Sequence, residues 1–362
     1  MGKLDALLEK AQKTMGLDIR TAREQCKLDR ITLDSVGLNY ILGGGFGKGR
    51  IYVLSGPFSG GKSSLATYLA CQVQKYSDKK NVVYMDFEYS FDTDHAEEMG
   101  LDIDNNFKMV RPKSGEDCYN LIQDIADTGE VGLIILDSIS ALSSNAQLED
   151  DNLSGFSGSK NAIVNSNGLK KILPHLNANK CSMIIICQER ANVGSMYGPD
   201  FTISSGGKAT LFYSSFNARV TRTDDIIDEK TKEIVGLNIR VRNTKNKLGI
   251  PKRDANLKLY FKGGINSEEE VLDYIVQLGV VNKNGSMYEF DKDKFSFAED
   301  MGRIRGLDNV KEYLINHPEA FKEVKTVVNT LVYDHTIIDE QEKAYSEEDE
   351  KIMKIYEDAG AV

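Results

Sequence analysis

The sequence lacks the features that define several classes of protein. It has no run of about 18 apolar residues, the length that a membrane-spanning helix requires, so no membrane span is expected. The first residues, from Met1 to Glu9, mix charged with apolar side chains, which is not the pattern of a signal peptide. The five cysteines include no C-x-x-C pair. Such a sparse, odd-numbered set predicts reduced thiols in a cytoplasmic protein rather than a disulfide framework or a zinc site.

The chain also has no overall excess of positive charge. Its formal net charge is −10, which taken alone argues against a nucleic-acid partner. The charge is unevenly distributed, however, because residues 339–358 hold nine acidic and three basic residues, whereas residues 240–262 hold eight basic residues and one acid. A local basic stretch in an acidic protein can bind anions, or it can be an ordinary solvated face.

A glycine-rich segment with the spacing G-x-x-x-x-G-K-S occupies residues 56–63. An apolar run before it predicts a buried strand, and apolar residues at helical spacing after it predict a helix. Glycines let backbone N–H groups approach phosphate oxygens, and a helix N-terminus favours negative charge. The pattern therefore predicts a phosphate-binding loop for ATP, with Lys62 on the β- and γ-phosphates and the Ser63 hydroxyl on Mg²⁺; a purely structural glycine turn is the alternative. The predicted nucleotide-binding residues here are Gly56, Pro57, Phe58, Ser59, Gly60, Gly61, Lys62, Ser63 and Ser64.

Apolar runs alternate with helix-like stretches through the middle of the chain. Residues 82–86, 133–137 and 183–187 are predicted strands, and residues 116–127 are one of the predicted helices between them. Continuous apolar strands separated by helices predict an α/β fold with a mostly parallel sheet covered on both faces. Such sheets bind ligands at the carboxyl ends of their strands.

Four polar residues lie at these strand ends. Asp137, followed by Ser138, is placed to contact Mg²⁺ and the nucleotide, although an acid in this position can also cap a helix. Glu88, two residues past its strand, can polarise a water molecule for attack on the γ-phosphate. Gln188 can form a hydrogen bond with the γ-phosphate, distinguish ATP from ADP, and so move the loop that follows it.

Two long polar stretches follow strand ends on the same side of the predicted sheet. They span residues 149–160 and 189–208, and the second is longer than the loops of compact domains usually are. Isolated apolar and basic side chains in such loops suit contact with single-stranded nucleic acid, and a substrate lid is the alternative. The candidate DNA-binding residues of the second loop are Arg190, Asn192, Val193, Met196, Tyr197, Phe201, Gly206, Gly207 and Lys208.

The core is predicted to span residues 31–263. Residues 1–30 hold apolar side chains at helical spacing and predict an N-terminal helical segment that packs on its own domain or on a neighbouring copy in an oligomer. Helical patterns and an Asn-Gly hairpin signal predict a small α+β C-terminal domain over residues 264–335. Residues 336–362 are expected to form an acidic, poorly ordered tail.

Together these motifs resemble the bacterial and phage RecA family of homologous recombinases, over about residues 31 to 331. The stretch before the core is too short for the extra N-terminal domain usual in eukaryotic and archaeal relatives, so the bacterial or phage type is expected. The matching features are Gly56–Ser63, Asp86-Phe87-Glu88, Asp137-Ser138, Gln188, Gly206-Gly207 and Thr244-Lys245-Asn246-Lys247, with a helix–hairpin–helix order after Gly264.

The resemblance implies a role for each catalytic candidate. It implies that Glu88 is the catalytic glutamate and Gln188 the γ-phosphate sensor. Lys245 and Lys247 match lysines that reach ATP bound in the adjacent subunit of a filament. The two long polar stretches match the two DNA-binding loops.

Other positions match the family with some differences. Asp92 and His95 match positions near the adenine, and His95 replaces an expected tyrosine. Phe212 matches a residue of the subunit interface. Phe58 replaces an acid that is usual in the bacterial phosphate-binding loop, and Glu189 places an acid at the start of the second DNA loop.

The implied function is that of a DNA-dependent ATPase that forms helical filaments on single-stranded DNA and catalyses homologous pairing and strand exchange. ATP and Mg²⁺ are the implied cofactors, and single- and double-stranded DNA and further copies of the chain the implied partners. Two alternatives stay open: a hexameric helicase or other ring ATPase with the same core, and a nucleotide-gated scaffold that hydrolyses little ATP. Glu88 argues against the scaffold, because a pure binding module needs no water-activating carboxylate.

Overall fold

The computed structural model describes residues 3–15, 28–148, 157–192, 200–203 and 207–333. Within them the helices are α1 (Lys3–Met15), α2 (Val36–Leu42), α3 (Lys62–Tyr76), α4 (Thr93–Met99), α5 (Gly115–Asp127), α6 (Asn145–Leu148), α7 (Ser157–Ala178), α8 (Gly207–Tyr213), α9 (Ser267–Gln277), α10 (Ala298–Met301), α11 (Leu307–Asn316) and α12 (Pro318–Tyr333).

The strands are short near the ends of the chain and longest in the middle. They are β1 (Arg30–Ile31), β2 (Phe46–Gly47), β3 (Ile51–Gly56), β4 (Asn81–Asp86), β5 (Phe107–Val110), β6 (Val131–Asp137), β7 (Ser182–Asn192), β8 (Asp200–Ile203), β9 (Phe216–Ile227), β10 (Ile234–Asn246), β11 (Asp254–Tyr260), β12 (Gly264–Ile265), β13 (Val281–Asn284), β14 (Met287–Phe290) and β15 (Ile304–Arg305).

One ten-stranded sheet organises the core, in the order β12-β11-β10-β9-β3-β7-β6-β4-β5, with β8 paired to the end of β7. The strands from β9 to β5 run parallel, whereas β10, β11 and β12 extend the sheet antiparallel. Every residue of β6 is buried, as expected for a strand with helices on both faces. The predicted α/β fold with a mostly parallel sheet is therefore confirmed.

Two apolar clusters cover the two faces of this sheet. One contains Leu65 and Leu69 of α3, and the other contains Ile122 of α5 and Leu169 of α7. Because successive side chains of a strand point to opposite faces, each parallel strand contributes to both clusters. This packing brings the carboxyl ends of β3, β4, β6 and β7 to one edge of the sheet.

A third apolar cluster lies in the C-terminal part of the chain and includes Val36 of α2. The predicted Asn-Gly hairpin is confirmed there, since β13 and β14 pair antiparallel around Gly285, whose φ of 60° is in the left-handed region. The acidic tail predicted over residues 336–362 lies outside the described residues.

The prediction of one long loop over residues 189–208 is wrong for its described part. Residues 189–192 continue β7 and pair antiparallel with β8, so that Glu189 lies opposite Ile203. Pairing with β8 satisfies the backbone N–H and C=O groups of residues 189–192. The polar sequence of this segment gives little indication of that pairing. Residues 157–160, predicted within the first polar stretch, form the first turn of α7.

Candidate active site

The phosphate-binding loop, residues 56–63, joins β3 to α3 as predicted. Gly56 has φ 152°, and a Cβ there would lie 2.1 Å from the Val220 carbonyl oxygen, so the close approach of β9 requires glycine. Gly61, in the left-handed conformation, precedes the first residue of α3. Lys62, only 7% exposed, donates from Nζ to the carbonyl oxygens of Gly56 at 3.1 Å and Pro57 at 2.6 Å.

The Lys62 ammonium lies in the field of three carboxylates. Burial lowers its pKa, and the negative charges of Asp137, Glu88 and Glu189 oppose that shift. A cation so placed is positioned to receive an anionic ligand at the helix N-terminus. Other residues of the loop, Phe58 among them at 75% exposed, face outward.

The two predicted Mg²⁺ ligands lie beside each other. The Ser63 hydroxyl donates to Asp137 Oδ2 at 2.8 Å, and the Tyr84 hydroxyl donates to the same oxygen at 2.6 Å. Burial raises the pKa of Asp137, and these two hydrogen bonds oppose the rise. One hydroxyl and one carboxylate suit Mg²⁺, which binds few protein ligands besides phosphate oxygens and water. Tyr84 was not predicted, although its place two residues before the end of β4 puts it on the same face as Asp86.

Three strand ends bring the predicted catalytic residues together. Glu88 Oε1 accepts hydrogen bonds from Gln188 Nε2 at 2.7 Å and from the Ser138 hydroxyl at 2.5 Å, and Ser138 also contacts Ser140 at 2.6 Å. The register explains the meeting, because Asp86 of β4 pairs with Asp137 of β6. The predicted sensor, Gln188, and the predicted water-activating group, Glu88, are therefore in direct contact.

Glu189, predicted at the start of a DNA loop, faces the sheet instead. Its side chain is 6% exposed and accepts hydrogen bonds from Arg219 Nε at 2.9 Å and from the Ser55 hydroxyl at 3.2 Å. Arg219 lies opposite Ser55 in the β3–β9 pairing. The acid thus fixes the base of the β7–β8 hairpin to two neighbouring strands.

Two predicted residues of the subunit interface adjoin each other. Lys245 Nζ donates to the carbonyl oxygens of Leu211, of Phe212 at 3.2 Å and of Ser214 at 2.8 Å, so it caps the C-terminus of α8. The Phe212 side chain is 71% exposed. Lys247 is exposed just past the end of β10. Burial, together with the charge of Lys247, lowers the pKa of Lys245.

The two residues predicted near the adenine form the start of α4. Asp92 caps this helix by accepting a hydrogen bond from the His95 backbone N–H at 3.0 Å. The His95 ring meets the edge of Phe261 at a centroid distance of 5.5 Å. This contact is not evident from the sequence, because Phe261 follows the end of β11, far along the chain from α4.

The candidate DNA-binding residues are divided between two strands, a helix and the undescribed part of the chain. Arg190 and Asn192 lie in the extension of β7, Phe201 lies in β8 opposite Ala191, and Gly207 begins α8, with Lys208 next. The remaining candidates lie outside the described residues: Val193, Met196, Tyr197 and Gly206.

Part of the basic stretch over residues 240–262 is paired with acids within the chain. Arg240 and Arg242 both approach Asp254, at 2.7 and 3.9 Å. Lys258 pairs with two acids of α9, and Arg253 is buried against the ring of Tyr40.

Within the described parts of the chain, no helix is both long and apolar enough to span a membrane. The same residues contain no group of three or more histidine, cysteine, aspartate or glutamate side chains that could hold a metal ion. Four cysteines there, Cys71, Cys118, Cys181 and Cys187, are buried free thiols.

These features define a P-loop nucleotide-binding protein. They are a buried strand, a glycine loop, a lysine at the start of the helix, and the Ser63 hydroxyl beside the Asp137 carboxylate at the end of β6. The chain matches the RecA N-terminal domain family over residues 3–266, and it belongs to the RecA family. It is 31% identical over 326 residues to Protein RecA of a Wolbachia strain from Drosophila simulans, covering 89% of this chain and 88% of the relative. It is 30% identical to Protein RecA of Staphylococcus carnosus, covering 98% of both chains, and 30% identical to that of Caulobacter vibrioides, covering 83% and 81%. Family membership confirms the resemblance and favours a recombinase over the ring helicase and the scaffold.

Proposed function

We propose that this protein is a DNA-dependent ATPase that assembles into helical filaments on single-stranded DNA and catalyses homologous pairing and strand exchange with duplex DNA. ATP and Mg²⁺ are its cofactors. The observation that carries the proposal is the contact of Glu88 with Gln188 and Ser138, beside the phosphate-binding loop. Gln188, the proposed γ-phosphate sensor, holds the Glu88 carboxylate and lies in β7. Because β7 continues into the proposed DNA-binding hairpin, this contact links hydrolysis to DNA binding.

The residues of the loop divide the work of binding ATP. Backbone N–H groups of residues 56–63 bind the phosphates, and Lys62 exchanges its contacts with loop carbonyls for contacts with the β- and γ-phosphates. Ser63 and Asp137 would hold Mg²⁺, which supplies positive charge against the phosphate oxygens. Glu88 then accepts a hydrogen bond from the attacking water and orients it.

The Glu88→Gln variant tests this assignment. The amide oxygen can still accept hydrogen bonds from Ser138 and Gln188, but it is a far weaker base. We expect kcat to fall about 100-fold or more, while ATP and DNA binding persist. Glu97→Gln, an exposed change on α4, is the matched control. Turnover near the wild-type rate in Glu88→Gln would remove Glu88 from the mechanism.

We further propose that Lys245 and Lys247 complete the ATP site of the neighbouring subunit. In support, Lys245 adjoins the exposed Phe212, the predicted interface residue. Cations supplied by a neighbour would stabilise the developing charge only in the assembled filament. Mixing Lys245→Ala/Lys247→Ala with Lys62→Ala on single-stranded DNA should recover part of the ATPase activity that each variant lacks alone. Co-assembly without recovery would contradict the assignment.

We propose that the β7–β8 hairpin and the residues around it bind single-stranded DNA. Replacing Met196, Tyr197 and Phe201 together by alanine should weaken DNA binding, because stacking on bases contributes about 1–3 kcal/mol per base. ATP binding without DNA should persist. Equal DNA affinity at matched salt would assign the hairpin to a substrate lid instead.

We also propose that Asp92 and His95 contact the adenine.

We further propose that the chain divides near residues 31 and 264 into an N-terminal helical segment, an ATPase core and a C-terminal domain. An exposed, apolar face on α1, with Leu4 65% and Leu7 63% exposed, supports a role of that segment in assembly.

A further inference from the structure

The turn that carries Glu88 is held by a buried carboxylate at the end of β4. Asp86 is 1% exposed. Its Oδ1 accepts a hydrogen bond from the Ser90 backbone N–H at 3.3 Å, and its Oδ2 accepts one from Arg111 Nη2 at 2.9 Å. One side chain therefore spans the turn, with Glu88 in the middle.

Arg111 comes from the neighbouring strand, immediately past the end of β5. Its guanidinium lies 4.6 Å from the centroid of the Tyr89 ring. Tyr89 has φ 56° and is 74% exposed. A left-handed conformation is unfavourable for a residue with a side chain, and a cation–π contact is favourable even at an exposed site. The stacking on Arg111 offsets part of the cost of this turn.

The two contacts of Arg111 bracket Glu88 in the chain. Arg111 binds Asp86, two residues before Glu88, and stacks on Tyr89, one residue after it. On the strand side, the Phe87 backbone N–H donates to the Asp137 carbonyl oxygen at 2.8 Å. The Glu88 side chain is exposed, so packing does little to restrain it. The position of its carboxylate depends on the conformation of the turn and on the two hydrogen bonds from Ser138 and Gln188.

We infer that Arg111 is a positioning residue for Glu88: through Asp86 and Tyr89 it fixes the turn that presents the carboxylate to Ser138 and Gln188. This inference rests on the proposed role of Glu88 in hydrolysis. The Arg111 side chain is 44% exposed, but Asp86 occupies one edge of its guanidinium and Tyr89 one of its faces. These contacts favour a fixed structural partner over a binding site for a phosphate.

The first test separates turnover from binding. Arg111→Met should lower kcat about 10- to 100-fold, because small displacements of a catalytic group are costly, while KM for ATP and the Kd of a non-hydrolysed ATP analogue change less than about twofold. Arg111→Lys keeps the charge beside Asp86 and should recover part of the rate. The control Arg303→Met breaks an exposed pair with Glu289 and should leave kcat unchanged.

Three further variants cover the case in which Arg111→Met does not fold because Asp86 stays buried without its cation. Tyr89→Ala keeps the ion pair, removes the stacking, and should lower kcat about threefold; Tyr89→Phe keeps the ring and should match the wild type. The double variant Asp86→Asn/Arg111→Met removes both charges and should show the same loss of kcat with a normal KM.

A double-mutant cycle decides whether Arg111 acts through Glu88. In the Glu88→Gln background, Arg111→Met should lower kcat no further, because the group that it positions is already gone. Effects that multiply would overturn the inference. So would a weaker affinity for ATP or DNA with normal kcat, which would make Arg111 an anion-binding residue. If Glu88→Gln alone retains normal turnover, the proposed function fails at Glu88, whatever Arg111 does.

Discussion

Two regions of the molecule bury carboxylates, and they compensate the negative charge differently. At the carboxyl edge of the sheet, Asp86 and Glu189 each bind an arginine at 2.9 Å. The arginine comes from just past the end of β5 in the first case and from β9 in the second. At the junction of α9 with α2, the three hydrogen-bond donors to Glu270 are neutral. All three acids are satisfied, but only Asp86 and Glu189 are paired with an opposite charge.

The junction binds Glu270 closely. The Ser35 hydroxyl, the Val36 N–H and the Gly37 N–H donate to its carboxylate at 2.9, 2.8 and 2.9 Å. A Cβ on Gly37 would lie 2.3 Å from the Tyr274 hydroxyl, so the approach of the two helices requires glycine. Burial raises the pKa of Glu270 to about 7, and the three hydrogen bonds oppose the rise.

The difference shows how position in the fold sets the response to pH. Arginine is not deprotonated in proteins, so the pairs at the sheet edge keep their cations under all ordinary conditions. Neutral donors leave a buried carboxyl that gains a proton near neutrality. The two arginine-paired acids at the sheet edge therefore keep a fixed compensating charge, whereas Glu270 at the junction with the C-terminal part of the chain titrates near neutrality.

The largest expected effect comes from breaking the better buried pair at the sheet edge. Arg219→Met leaves the Glu189 carboxylate in a buried site without this cation, and should lower the free energy of unfolding by about 3 kcal/mol or more. Urea denaturation followed by circular dichroism measures it. Glu189→Gln/Arg219→Met, which removes both charges, should recover most of the loss. Equal losses in the single and double variants would contradict the account.

Glu270 should make stability depend on pH. Its folded pKa of about 7 exceeds its ordinary value of 4.5, so the folded state binds the proton more tightly than the unfolded one. The resulting stabilisation, about 3 kcal/mol, is fully present below pH 4.5 and is lost as pH rises to about 7.

Denaturation curves between pH 4.5 and pH 8 check this expectation. Glu270→Gln should flatten the dependence, whereas Glu268→Gln, an exposed change on the same helix, should preserve it. Identical pH profiles for wild type and Glu270→Gln would assign the titration to other groups.

Ser35→Ala tests how much one neutral donor contributes to the stability and the pKa of Glu270. It removes one donor to Glu270 and the N-cap of α2, where the Leu38 N–H bonds to the Ser35 hydroxyl at 3.1 Å. We expect a loss of about 1–2 kcal/mol and a shift of the pH dependence upward, since the carboxylate loses a hydrogen bond that favours its charge. Ser286→Ala, in an exposed turn, is the control, and an unmoved pH profile would argue against the contact.

The smallest effect is expected at Lys245, which compensates the partial charges of a helix C-terminus rather than a carboxylate. Lys245→Met should cost about 1 kcal/mol or less. Hydrogen exchange should rise in α8 and the residues just after it, and remain unchanged in β6. Unchanged protection in α8 would show that the cap adds nothing to its stability.

The core of the fold could be predicted because buried parallel strands are continuous apolar runs, as β6 is. The antiparallel extension over β10–β12 lies outside the predicted strands, although buried apolar residues alternate along β11. The β7–β8 hairpin could not be predicted, because residues 189–192 are mostly polar and β8 has only four residues. Counting charges along residues 240–262 does not show which of them are paired within the chain. The acids of α9 that neutralise Lys258 become its neighbours only in three dimensions.

The candidate site divides in the same way. A fixed spacing marks the phosphate-binding loop, and the ends of apolar runs mark Glu88, Asp137 and Gln188, so one sequence suffices to find them. Arg111 carries no such mark, because its contact with Asp86 depends on β5 lying beside β4. Residues that act by holding others are recognised only when the order of the strands is known.

The length of β7 has a mechanical consequence. It is one unbroken strand from Ser182 to Asn192, and its eleven residues would span about 36 Å at about 3.3 Å per residue. From Gln188 to Asn192 the distance along the strand is about 13 Å. An extended backbone can lengthen very little, and pairing with β8 limits the bending of residues 189–192. A displacement of a fraction of an ångström at Gln188 would therefore be transmitted along the strand to Asn192 with little loss.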